Sequence, residues 1–373
     1  MKLGFENKES SIKEFGSLNI FYDAGAKIET VGYRGISHLA EHLISKAIEP
    51  YEEQFDAHGI NQNALTSENY VLFYFNGLNE NLKKFEDVFL KILSYIPTKE
   101  EFEKEKRVVL AEYDQTFNEK RSLILNLMRK YYNTYSAIGL REDIEKITYE
   151  DYLEFQKAHF SYPTYILRVG ETNHYDFYSN LTYVTDTEVE YELKDYENTL
   201  ESRLKISNMF FVKWLNLDYD FKDITLLEYY LSYGLTSPMY SVLREELGLV
   251  YYVSSDDIKL GQTKLFLIMC ESDPKNSKSI DKALKELIQK LPNNLSESRF
   301  ENMKKTLETT ILKQNLLNWN LDFAKNSSSD DFYTKEYFQE MTFEKFKDLV
   351  LDFSSKYKNA KTATLSKKEI LWK

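Results

Sequence analysis

The spacing of apolar and polar positions along this chain changes period repeatedly, and each change marks an element. From Ser17 to Gly25 (SLNIFYDAG) the alternation is two-fold, which predicts a strand. Gly32 and Gly35 punctuate the approach to a helical stretch, Gly35 to Ala47, that ends before Pro50. A short helix is expected at Tyr51 to Ala57, then a turn at His58-Gly59. Ile60 to Phe75 (INQNALTSENYVLFYF) reads as a strand, a polar turn and a second strand rich in aromatic and β-branched residues. Helical periodicity returns from Glu80 to Tyr95, where Pro97-Thr98 closes it. Thr98 and Glu101 have the spacing of a capping box and open a helix to about Phe117. Further helices are expected at Lys120 to Tyr135 and Thr148 to His159, and a strand at Tyr165 to Val169.

From His174 to Ser202 the chain is acidic and polar without a period. Beyond it, strands are expected at Leu204–Leu217, Val250–Ser254 and Lys264–Cys270. Helices are expected at Ile224–Tyr233, Tyr240–Leu247, Ser277–Leu291 and Ser296–Gln314. Ile147-Thr148-Tyr149-Glu150-Asp151-Tyr152 is echoed by Met341-Thr342-Phe343-Glu344-Lys345-Phe346, each ahead of a helix and a last strand. Such an echo points to two halves of related architecture. The fold class expected is α+β: two related domains, each an antiparallel sheet covered by helices. Their boundaries fall at 1–185 and 204–373, with a linker at 186–203.

Composition narrows the class. The 373 residues are long enough for two cores, and 42% hydrophobic with 29% charged residues is the balance of a soluble globular protein. A net charge of -12 argues against a nucleic-acid or anionic-membrane partner, which would need a basic face. The single cysteine, Cys270, lies in the apolar run Leu265–Cys270 and is expected to be a buried core residue. No disulfide framework can form within one chain, and neither a signal-like leader nor a membrane-length apolar run is present, so a cytoplasmic location is expected.

The chemistry concentrates in His38-Leu39-Ala40-Glu41-His42. Two histidines four apart stand one turn above each other on a helix, and neutral imidazoles so fixed make half of a zinc site. Glu41 falls near the same face, where a carboxylate can take a proton from the attacking water. The order H-x-x-E-H is the inverzincin pattern. Two satisfied core histidines would be the plainer account, but the chain has only five histidines and two flank a glutamate here. A catalytic zinc wants a third protein ligand. His58, the run Glu49, Glu52 and Glu53, and the pair Glu105 and Glu112, seven apart on one helix face, are all candidates. Glu112 sits in the apolar surround Val108-Val109-Leu110-Ala111, where a charge is costly unless paired or bound to a metal. Glu105 could hydrogen-bond a ligand from behind.

HLAEH, followed by Asn63-Ala64-Leu65-Thr66-Ser67 and by Glu105-Lys-Arg-Val-Val-Leu-Ala-Glu112, resembles the pitrilysin/insulinase family of zinc peptidases, which includes the mitochondrial processing peptidases. The resemblance implies that His38, His42 and Glu112 bind one zinc ion per chain, with Glu41 as general base and Glu105 as the supporting glutamate. In the second half, Leu243-Arg244-Glu245-Glu246-Leu247-Gly248-Leu249-Val250-Tyr251 is similar to the family's arginine–tyrosine segment, which implies that Arg244 and Tyr251 meet the substrate near the scissile bond. The strand Asn63, Ala64, Leu65, Thr66 would pair with an extended peptide. The family pairs the zinc half of one unit with the arginine–tyrosine half of another, so a homodimer or a heterodimer with a related subunit is implied. The expected function is that of a zinc endopeptidase acting on peptides or small unfolded polypeptides. A non-catalytic partner or scaffold subunit is the alternative. A small-molecule zinc lyase of the autoinducer-synthase kind fits poorly, since Cys270 lies in the other half and Arg244 and Tyr251 would have no purpose.

Overall fold

The computed structural model describes residues 4–8, 14–116, 122, 124–125, 128–129, 136–170, 208–260, 263–310, 335–365 and 370–372. The expected linker at 186–203 and most of the helix expected at Lys120–Tyr135 lie outside these residues. The chain divides into two compact units, residues 1–201 with 318–325 and residues 202–317 with 326–373.

The first unit contains β1 (Gly4–Lys8), β2 (Phe15–Tyr22), α1 (Ile36–Ser45), α2 (Glu52–Ala57), β3 (Asn61–Thr66), β4 (Val71–Leu78), α3 (Asn79–Phe89), α4 (Lys99–Thr116), α5 (Arg141–Lys146), α6 (Tyr149–His159) and β5 (Tyr165–Val169). Its sheet runs β1-β5-β2-β4-β3. Pairing is antiparallel through β5, β2, β4 and β3, as expected of this fold, but the edge strand β1 joins β5 in parallel. Leu18, Ile20 and Tyr22 alternate toward the helices, where they meet Ile36, Leu39, Leu43 and Phe73 in one apolar core. That arrangement follows from the two-fold alternation of β2 and the i, i+3, i+4 stripe of α1.

The second unit contains β6 (Met209–Asn216), α7 (Phe221–Ser232), β7 (Tyr252–Leu260), β8 (Thr263–Ser272), α8 (Ser277–Lys290), a helix α9 over residues 297–310, α10 (Lys335–Glu340), α11 (Phe343–Lys356), β9 (Lys361–Leu365) and β10 (Ile370–Trp372). Its sheet runs β10-β9-β6-β8-β7 and is antiparallel throughout. Stripped of the outermost strands, the orders β5-β2-β4-β3 and β9-β6-β8-β7 are the same in chain sequence. Two local expectations need correction. The stretch expected as helix at Tyr240–Leu247 is a short helix, Pro238–Tyr240, continued by a π-helical turn, Ser241–Glu246. The strand expected to stop at Ser254 continues through Asp256 and Asp257 to Leu260 because β8 supplies a full-length partner. Cys270 is buried without a disulfide, as expected of a core thiol. Among the described residues no helix is long and apolar enough to cross a membrane.

Candidate functional site

Helix α1 buries Ile36, Leu39, Ala40, Leu43 and Ile44 and turns His38, Glu41 and His42 toward α4. On α4, Phe102, Glu105, Val109 and Glu112 recur at three- and four-residue spacing, so one stripe carries both the packing residues and the two carboxylates. The capping box that starts α4 forms: Glu101 N donates to Thr98 Oγ1 at 3.2 Å and Thr98 N donates to Glu101 Oε2 at 2.6 Å.

Where the stripes meet, three ligand atoms converge. His38 Nε2 and His42 Nε2 are 3.2 Å apart, and Glu112 Oε2 lies 3.6 Å from the first and 3.4 Å from the second. Metal–nitrogen bonds of about 2.0–2.1 Å at the tetrahedral angle require donor separations of about 3.3 Å, so this triangle has the dimensions of three zinc ligands. His42 Nδ1 faces Glu105 Oε2 at 3.4 Å, and Lys46 Nζ grips the other oxygen of Glu105 at 2.9 Å. Donation from Nδ1 to Glu105 fixes the tautomer that leaves Nε2 free to ligate. Burial drives the His38 pKa down to about 4, so its imidazole is neutral near pH 7 and available to a cation. For His42, burial opposes the charge, but the hydrogen bond to Glu112 and the Glu41 carboxylate outweigh it and hold its pKa up. The hydrogen bond from His42 holds Glu112 low.

Glu41 is buried, and burial raises its pKa, while Thr66 Oγ1 donates to its Oε2 at 2.6 Å and draws it back. A cleft of about 600 Å³ opens over these groups, lined also by Asn63, Ala64 and Leu65 of β3 and by Ala137 and Ile138. β3 pairs only with β4, which leaves its outer edge unpaired among the described strands.

The other sequence candidates fall elsewhere. His58 Nδ1 meets Gln54 O at 2.8 Å and its ring packs against Phe85. Glu49 and Glu52 line the cleft without joining the triangle, and Glu49 pairs with Lys46 at 2.9 Å. Arg244 and Tyr251 lie in the second unit, where Arg244 Nη1 donates to Tyr251 O at 2.9 Å and its guanidinium lies over Tyr240. Lys46, the cleft residues Ala137 and Ile138, and the bond from Thr66 to Glu41 went unread in the sequence. For Lys46 a signal existed, since it is four residues after His42 and shares its face.

Fold and residues together define a two-unit α+β protein in which two histidines of α1, in the H-x-x-E-H order, converge with Glu112 of α4. Residues 6–140 match the insulinase (peptidase family M16) domain, and residues 178–307 match the peptidase M16 inactive domain. The chain belongs to this insulinase/pitrilysin family. It is similar to a Rickettsia felis protein named "uncharacterized zinc protease", with 23% identity across 79% of this chain and 77% of that one. An Arabidopsis thaliana protein named "probable mitochondrial-processing peptidase subunit beta" is 24% identical across 39% of this chain and 29% of its own. Among solved structures, a protease from Helicobacter pylori has the same fold, with a TM-score of 0.73, 17% identity and 98% of each chain covered.

Proposed function

We propose that the chain is a zinc-dependent endopeptidase that hydrolyses peptides or small unfolded polypeptides. The observation that carries this reading is the triangle of His38 Nε2, His42 Nε2 and Glu112 Oε2 beside a buried carboxylate. Those three atoms would hold one zinc ion, which when bound supplies Lewis acidity toward the peptide carbonyl and acidifies water toward neutrality. Glu105 and Lys46 orient His42 from behind. Glu41 takes the proton of the attacking water on its carboxylate and passes it to the leaving amine. Thr66 steadies that carboxylate through Oε2. The outer edge of β3 accepts an extended peptide as an added strand, with Asn63, Ala64, Leu65 and Thr66 along it. Arg244 and Tyr251, both exposed on the second unit, donate hydrogen bonds to the oxyanion and adjoining carbonyls. With one such His-His-Glu centre among the described residues, and with a relative named as a subunit, the working form is a homodimer or a heterodimer with a related chain.

Glu41→Gln tests the reading directly. The substitution preserves shape and the Thr66 contact, so zinc content should stay at one per chain while peptide cleavage falls about 10²–10⁴-fold. A variant that cleaves at the normal rate would refute the role of Glu41.

A further inference from the structure

Helix α1 begins without a cap of its own. Its N-cap residue is Gly35, at φ +102°, and no side chain at that position can accept from the first turn. The glycine is required there: an added Cβ would lie 2.7 Å from Ile144 Cγ1, and Gly139 packs directly against Gly35. The missing acceptor comes from six residues upstream. Glu29 Oε2 accepts from Gly35 N at 2.8 Å, and Oε1 accepts from Ser37 N at 2.9 Å, one oxygen for each amide. Glu29 as a whole is 7% exposed.

Burying a carboxylate here is costly, and the cost is visible in a pKa pushed by burial up to about 7. Arg34, the cation nearby in sequence, is committed to Asp143, with Nε 2.5 Å from Oδ2. Compensation for Glu29 comes mainly from the two amides at the positive end of the helix, with a smaller contribution from the Arg34 charge. A surface Asp or Ser at the N-cap position would satisfy the same amides without that cost, but Gly35 must stay glycine. The bidentate grip spans the amides of Gly35 and Ser37, the latter the residue before His38, and so holds the first turn at two points.

We propose that Glu29 is a positioning residue for the metal centre: by holding the first turn of α1 it sets His38 Nε2 at the separation from His42 Nε2 and Glu112 Oε2 that a single zinc ion requires. This inference rests on the zinc reading above. Nothing about Glu29 touches substrate or metal, so its effect reaches the centre only through α1.

The test compares zinc dissociation constants of the folded wild type and Glu29→Gln, measured by competition with a chromophoric chelator, alongside the melting temperatures of the metal-free proteins. Glutamine keeps one acceptor and sets an NH₂ against the other amide. Zinc binding should weaken several-fold, short of the loss of about 10–100-fold that follows when a group bonded directly to a ligand is removed. Glu29→Asp, which keeps the charge but cannot span both amides, should fall between the two, and it carries the comparison if the glutamine variant does not fold. A cap that merely stabilises the fold would lower the melting temperature and leave the dissociation constant unchanged; that result overturns the proposal. A wild-type chain that binds no stoichiometric zinc would sink the zinc reading, and this inference with it.

Discussion

The two units repeat one another in places where the sequences look unrelated, and they part company at the residues that carry chemistry. Phe102, Glu105, Val109 and Glu112 of α4 have the same spacing as Phe300, Met303, Leu307 and Thr310 of α9. Lys106 Nζ donates to Ile147 O at 2.7 Å, and Lys304 Nζ donates to Met341 O at 3.1 Å, tying each helix to the same point of the echoed segment. Helix α1, after the first long strand of its sheet, turns two histidines and a glutamate into a cleft. Helix α7, in the corresponding place, buries Ile224, Leu226, Leu227, Tyr230 and Leu231 in an apolar core. The scaffold thus survives the exchange of Glu105 for a methionine and of Glu112 for a threonine. An apolar stripe is what holds the helix, and the carboxylates of α4 are additions to it.

The sharpest way to break this contrast is to make α4 resemble α9. Glu112→Thr should leave the melting temperature of the metal-free protein within a few degrees of wild type, yet remove stoichiometric zinc and lower peptide cleavage by about 10³-fold or more, read by metal analysis and a fluorogenic peptide. Full zinc retention would mean that the triangle is a coincidence of packing.

The lysine ties sharpen the repeat itself. Lys106→Met removes bonds to two carbonyls, the exposed Glu145 O and the partly buried Ile147 O, and should cost about 1.5–3 kcal/mol in urea denaturation. Lys304→Met removes one such bond and should cost less. Equal, negligible losses would show that the ties are incidental.

The smallest effect concerns the carboxylates of the second unit. Glu228, Asp256 and Asp257 bring oxygens within 4.8 Å of one another, and burial pushes Asp257 up to about 6. Its folded pKa lies above the unfolded value of about 3.9. The stability this group contributes is therefore fully present below the unfolded pKa and is lost as pH rises through about 6. Asp257→Asn should flatten the fall in unfolding free energy between pH 5 and pH 8 by about 1–2 kcal/mol. An unchanged pH slope would remove Asp257 from the account.

Much of this was legible before any coordinates, and the exceptions share a cause. His38, Glu41 and His42 were readable because helical spacing alone puts them on one face. The capping box at Thr98 was readable because its partner lies three residues away, and it forms; at Thr148, where only a helix start was expected, a second capping box with Asp151 forms as well. What escaped depends on partners far along the chain. β1 (GFENK) has no alternation and becomes a strand only because β5 offers its edge. Polar Asp256 and Asp257 look like a strand end until β8 pairs with them. Lys213, in the apolar run of β6, is 3% exposed and finds Asp281 at 2.6 Å, a partnership no local pattern announces. Glu29 reads as one more acid in a loop, and its grip on α1 is visible only once the chain has turned back.

The central claim is that one ion sits between α1 and α4 of the first unit. Anomalous diffraction at the zinc edge, from crystals of the protein loaded with one equivalent of zinc, tests it most directly. The account predicts a single strong peak about 2.0–2.2 Å from His38 Nε2, His42 Nε2 and a Glu112 oxygen. A peak elsewhere, such as among Glu228, Asp256 and Asp257, or no peak at full zinc loading, would contradict it.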